Sequence, residues 1–213
     1  MPFKRLQHIV LSIVALVVLF PLLLLVALAI VIDSPGASPI FVQTRVGLNG
    51  KKFKFYKFRT MVPNADQLLE KLMSLNEMDG PVFKIKNDPR ITRVGHFIRR
   101  TSIDELPQLI NILKGDMSIV GPRPLLVKYL PRYTETQRRR HDVRPGLTGY
   151  AQINGRNAIS WEERFAYDVE YVDNITFIGD VKIIFATVKA VFKRSGITSG
   201  TSATMEEFMG SES

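Results

Sequence analysis

From Ile9 to Ile32 the chain reads almost without interruption as Leu, Val, Ile and Ala, and it carries no charge over those 24 residues. At roughly 1.5 Å per residue, such a helix is long enough to cross a bilayer core of about 30 Å. No soluble core element needs so long an apolar run, so a membrane anchor constrains everything that follows. A signal peptide is the competing reading, since Lys4 and Arg5 form a basic leader. However, its apolar stretch normally runs roughly 7–15 residues to a small-residue cleavage site. Here the run leads into Ile32-Asp33-Ser34-Pro35-Gly36, with no such site. The retained anchor is the better expectation.

Lys4 and Arg5 lie before the run, and Arg45, Lys51, Lys52 and Lys54 follow it, so the positive-inside rule gives no direction. Pro21 stands mid-run, where it removes a backbone hydrogen bond and kinks a helix. A helix bent there keeps both ends on one side; a kinked span is the equal alternative on physical grounds.

Beyond the anchor, Pro39 to Val42 reads as a short strand. After the turn Gly47-Leu48-Asn49-Gly50, residues 52–59 alternate basic and aromatic side chains at the period of a strand. Beside a membrane, that alternation suggests a rim of rings and cations at the headgroup level. Helical spacing marks Asn64–Met78, Leu106–Leu113, Ser160–Val172 and Val181–Phe192. The charged stretch Pro131–Asp142 reads as a solvated helix. Helices dominate without a βαβ rhythm, which excludes a doubly wound nucleotide fold. The expected class is α+β, mostly helical. Its parts are a membrane helix over 1–34, a compact catalytic domain with short strands and amphipathic interfacial helices over 35–195, and a loose tail over 196–213.

The chain has 29 Lys+Arg against 20 Asp+Glu, a formal charge of +9, which implies an anionic partner such as phosphate or anionic lipid. There is no Cys, and His8, His96 and His141 lack metal-site spacing, so thiolate and imidazole metal centres are excluded or improbable.

Three blocks carry chemistry. Asp104-Glu105 sets two carboxylates side by side, a repulsion that cations or a metal offset. The plain reading is a capping box, since Ser102-x-x-Glu105 fits that pattern. Arg99 and Arg100 just upstream offer phosphate ligands. Gly121-Pro122-Arg123-Pro124 fixes one guanidinium between two prolines, suited to bidentate phosphate recognition. Residues 144–157 hold glycines that admit close approach of a ligand to the backbone, together with Arg144 and Arg156. Asp180 opens the last helix as an N-cap or a metal ligand.

In this order, Asp104-Glu105-Leu106-Pro107-Gln108, the Arg123 turn, Pro145-Gly146-x-Thr148-Gly149 and Asn154-Gly155-Arg156 resemble the bacterial sugar transferases, the monotopic phosphoglycosyl transferases. The resemblance runs from the anchor to about residue 195, and it has implications for both the anchor and the site. It favours a re-entrant helix broken at Pro21, although the family's Ser-Pro is Phe20-Pro21 here. It makes Asp104 the nucleophile and Glu105 a Mg²⁺ contact, with Asp104 and Asp180 as further candidates for the metal. It places Arg99, Arg123, Arg156, Lys57 and Arg59 on substrate phosphates, the last two from the Tyr-Lys-Phe-Arg-Thr-Met element. The implied reaction moves a phosphosugar from a UDP-sugar to polyprenyl (undecaprenyl) phosphate and releases UMP. The implied setting is the cytoplasmic face of a bacterial inner membrane, where the enzyme begins a membrane-linked glycan. The implied partners are the two substrates and the lipid bilayer, with no nucleic acid; self-association into a homo-oligomer is compatible with it. The alternatives are a membrane-bound, metal-dependent lipid-diphosphate phosphohydrolase and a membrane-tethered anion-binding protein.

Overall fold

A computed structural model describes residues 2–72, 88–155, 159–193 and 207–210. Helix α1 runs Pro2–Asp33 and contains Pro21. It packs on the rest of the chain through both halves. Toward its N-terminus, Arg5 donates to the Ile112 and Leu113 carbonyls, and Ala15 and Leu16 pack against the cluster of Phe55, Leu109, Ile112 and Met117. Toward its C-terminus, Val26 and Ile30 are buried with Phe58 and Ile98, and Asp33 accepts from the Val94 N–H at 3.0 Å. Between these contacts Val17, Val18, Phe20 and Leu22 are exposed. The expected break at Pro21 therefore does not split α1 into two elements.

Strands β1 (Ile40–Val46) and β2 (Lys52–Phe58) form an antiparallel hairpin in which Ile40 faces Phe58 and Val46 faces Lys52. Three rings of β2 turn inward: Phe55 and Phe58 are buried and Phe53 packs on the Phe55 cluster, so these three build core and not a membrane rim. Of the helix expected over 64–78, α2 (Ala65–Leu72) is described and the remainder lies outside the described residues.

Helix α3 (Arg93–Arg100) is capped by Thr92, whose side chain accepts from the Gly95 N–H. A 3-10 turn (Ile103–Glu105) leads into α4 (Gln108–Lys114), which ends at Gly115 in the left-handed conformation that favours glycine. The buried Asn111 amide pins α4 to β2, donating to the Lys54 carbonyl at 2.6 Å and accepting from the Tyr56 N–H at 3.1 Å. That pin fixes the turn that precedes α4 against the hairpin.

Strand β3 (Ser118–Val120) pairs in parallel with β4 (Gly146–Thr148), and a four-residue helix α5 (Glu135–Arg138) lies between them. The solvated helix expected over 131–142 is instead two 3-10 segments around α5, and Arg140 within it is buried against Asp168 at 2.6 Å. A buried charge needs a partner, and meeting it breaks the helical pattern. Helix α6 (Tyr150–Ile153) is followed by α7 (Trp161–Asp173), opened by a capping box of Ser160 and Glu163, and by α8 (Phe177–Lys193). On α8, Ile183 is buried while Phe177, Ile178, Phe185 and Val188 are exposed. Where the sequence reads as a loose tail, residues 207–210 dock: Phe208 is buried among Tyr129, Tyr133 and Phe165, and Glu207 pairs with Lys128 and Arg132.

Candidate active site

Asp104 and Glu105 sit on the 3-10 turn between α3 and α4. The capping-box expectation fails there. Ser102 is left-handed (φ 57°) and makes no side-chain cap, so the pair stands half-buried on a 3-10 turn without the capping box. The Arg123 fork meets Glu105, with Nη2 at 2.5 Å from Oε1 and Nη1 at 3.2 Å from Oε2. The fork that the sequence reading aimed at substrate phosphate thus engages a carboxylate in this structure.

Asp104 lies among Lys57 from β2, Arg99 from the end of α3, and Arg123. Burial raises its acid to about pH 6, Glu105 adds to the rise, and the three cations only partly oppose it. Lys57 is pushed down to about 8, by burial first and then by Arg99. Its ammonium lies over the Phe41 ring at 5.0 Å. Arg99 donates Nε to the Thr60 hydroxyl at 2.8 Å, which aims its guanidinium. Arg100, the neighbour singled out with it, is exposed.

The structure groups the remaining candidates differently. Arg59 is buried at the end of α1, donating to the Ser34 carbonyl at 2.6 Å and the Ala37 carbonyl at 3.1 Å, so it holds the anchor's exit turn and not a phosphate. Asp180 pairs with Lys4 of α1 at 2.7 Å and accepts from the Tyr171 hydroxyl at 2.8 Å; Thr176, not Asp180, caps Gly179. It is not an N-cap; it ties α8 to α1 and α7. Arg156 lies outside the described residues. Two of the glycines expected to admit a ligand admit protein backbone: a Cβ on Gly146 would lie 2.2 Å from the Gly121 nitrogen, and one on Gly149 would lie 2.2 Å from the Gly121 carbonyl oxygen. They let the 144–149 segment press against the Arg123 turn and hold it in place.

Two residues near the site had no sequence signal. Arg140 donates Nη2 to the Arg123 carbonyl at 2.8 Å while Asp168 neutralises it, so a buried pair fixes the Arg123 backbone. Only the burial of charges in a broken helix identifies them.

Among the described residues no three His, Asp or Glu side chains gather into a metal cage. Mg²⁺ needs none, since it is commonly held by one or two carboxylates together with substrate phosphate and water. Asp104-Glu105 fits that donor set; burial first, and the adjacent Glu105 second, push the Asp104 carboxyl up to about 6.

A family model described as bacterial sugar transferase matches residues 1–194. The chain is 50% identical over 189 residues to the uncharacterized sugar transferase EpsL of Bacillus subtilis, covering 89% of this chain and 87% of that one. It is 44% identical over 200 residues to the undecaprenyl-phosphate galactose phosphotransferase of Salmonella typhimurium, covering 91% of this chain and 41% of the relative. It is 43% identical over 194 residues to the UDP-glucose:undecaprenyl-phosphate glucose-1-phosphate transferase of Escherichia coli, covering 87% and 39%. The chain thus spans about two fifths of the length of these last two relatives.

Proposed function

The chain belongs to the bacterial sugar transferase family, and on that premise we propose that it transfers a phosphosugar from a UDP-sugar to polyprenyl phosphate through a covalent intermediate on Asp104. The observation that carries the reading is a half-buried carboxylate ringed by Lys57, Arg99 and Arg123 and titrating near pH 6. Such a group is ionised at neutral pH yet poorly solvated, which suits a nucleophile.

In the first step an Asp104 carboxylate oxygen bonds to the sugar-linked phosphorus of the UDP-sugar. The bond from that phosphorus to the bridging oxygen breaks, and UMP leaves with the electron pair. In the second step a phosphate oxygen of the polyprenyl phosphate bonds to the same phosphorus, the bond to Asp104 breaks, and the carboxylate is restored. Lys57 and Arg99 hold the equatorial oxygens as charge shifts between them. Arg123 orients Glu105 and offers its fork to the diphosphate. Bound Mg²⁺, held by Asp104 and Glu105, would neutralise charge on the diphosphate and the leaving nucleotide.

The acceptor's chain lies in the bilayer, so the site must lie at its surface. We read α1 as entering and returning on one face, the cytoplasmic face of the inner membrane. The reading rests on its two ends, which both bond to one domain, through Arg5 at one end and Asp33 at the other. The outward Phe185 and Val188 of α8 suit the headgroup plane.

The test is UMP release by the purified protein across a panel of UDP-sugars, with and without polyprenyl phosphate and Mg²⁺. One sugar should support release that becomes catalytic only with the acceptor. Inorganic phosphate released from a polyprenyl diphosphate, with no UMP from any sugar nucleotide, would favour a phosphohydrolase instead.

A further inference from the structure

Glu207 and Phe208 have no part in the chemistry above, yet they dock against the two segments that hold the Arg123 turn. Phe208 is 1% exposed. Its ring stacks on Tyr133 at 5.7 Å and meets Phe165 of α7 edge-on at 5.0 Å. Tyr129 and Trp161 close round it at 5.8 and 5.5 Å. Leu125 and Leu126, just past Arg123, belong to the same cluster. Polar contacts fasten its edge: Glu207 pairs with Lys128 at 2.6 Å and with Arg132 at 3.0 Å, and Arg132 also donates to the Phe208 carbonyl.

Two of these rings lead to the site. The Arg140 guanidinium lies over Tyr133 at 5.9 Å and over Phe165 at 5.5 Å, the same two rings that Phe208 contacts. Arg140 in turn donates to the Arg123 carbonyl at 2.8 Å, and the Arg123 fork meets Glu105. Each link is a direct contact, so one ring separates Phe208 from the group that holds the Arg123 backbone. A close-packed cluster transmits a void to its neighbours, because the atoms lining the void lose their contacts outright.

We propose that Glu207 and Phe208 are positioning residues for the donor. Their docking braces Tyr133 and Phe165, and through Arg140 it holds the Arg123 turn where its fork takes the diphosphate. This rests on the transferase reading above. Docking and donor binding are then reciprocally linked: whatever docking adds to donor affinity, bound donor adds to docking.

The test measures UMP release against UDP-sugar concentration for Phe208→Ala and Phe208→Leu, each also combined with Arg123→Ala. In Phe208→Ala the KM for UDP-sugar should rise roughly tenfold, the scale of one loosened charge-assisted hydrogen bond, while the saturating rate stays within about twofold. Leu keeps most of the apolar volume and should recover most of the loss. In the Arg123→Ala background Phe208→Ala should add little, because the two residues act as one unit. If Phe208→Ala does not fold, Glu207→Gln should raise the KM in the same direction by a smaller factor. The unmutated protein gives an independent reading: saturating UDP should slow hydrogen exchange at the Phe208 and Met209 amides. A lowered melting temperature with KM unchanged, full additivity with Arg123→Ala, or exchange indifferent to bound UDP overturns the positioning role and leaves the transferase reading standing. Unmutated protein that releases no UMP from any UDP-sugar overturns both.

Discussion

Asp104 is flanked by three cations and is still a weakened acid, because burial and the adjacent Glu105 outweigh them. Two predictions follow from that balance. Formation of the intermediate needs Asp104 ionised and Lys57 protonated. The pre-steady-state rate of UMP release should therefore rise through about pH 6 and fall through about pH 8. A flat profile across that range would remove both assignments. The second concerns stability. Below about pH 4 Asp104 is protonated in the folded and unfolded chains alike. Between about 4 and 6 only the unfolded chain ionises freely, so folding loses stability as pH rises. Asp104→Asn, melted at pH 7 without divalent cations, should gain on the order of 1–2 kcal/mol while losing all turnover. Arg123→Ala should cost about 1.5–3 kcal/mol in kcat/KM, the range for a hydrogen bond to a charged group, and Arg123→Lys should not restore it fully. The carboxylate pair, Arg123, Lys57 and Arg99 were each singled out in the sequence, and the fold brings them together. Arg59 and Asp180 were grouped wrongly, since sequence shows that a charge exists but not which way a strand or helix turns it.

Among the elements, those governed by one periodicity matched their sequence signals. The hairpin, α4 and α7 have the expected positions, and Gly115 ends α4 as a left-handed residue should. The broken segment around α5 did not, because its conformation follows from burying Arg140 beside Asp168 and not from local pattern. That pair also holds the Arg123 carbonyl, so its loss should reach the site. Asp168→Ala leaves a buried charge unpaired and should cost about 3–5 kcal/mol in denaturant unfolding. In whatever fraction stays folded, the KM for UDP-sugar should rise, since the Arg123 turn is freed. A destabilised variant with an unchanged KM would show the pair to be purely structural. The glycine-bearing loop over residues 144–157 was read as admitting a ligand, and the contact between Gly121 and Gly146 shows that protein backbone takes that space at Gly146. Close approach is visible in a sequence, but its partner is not.

At the scale of the whole molecule, α1 decides where the chemistry takes place. Its apolar run was plain in the sequence. Its contacts through both halves were not, because they depend on Lys4, Arg5 and Asp33 meeting residues far along the chain. In the cysteine-free background, Phe3→Cys and Ser38→Cys should both react with an impermeant thiol reagent from the cytoplasmic side only. Labelling of position 3 from the opposite side would make α1 a simple span. Pro21→Leu restores a backbone N–H and favours a straight helix, so it should shift that label and lower activity. The covalent step itself has the most direct readout. Intact-protein mass should be taken after exposure to the cognate UDP-sugar without acceptor. The account predicts one phosphosugar adduct on the unmutated chain, discharged by polyprenyl phosphate and absent in Asp104→Asn. An adduct that persists in the Asn variant, or turnover with no adduct in the unmutated protein, would contradict it.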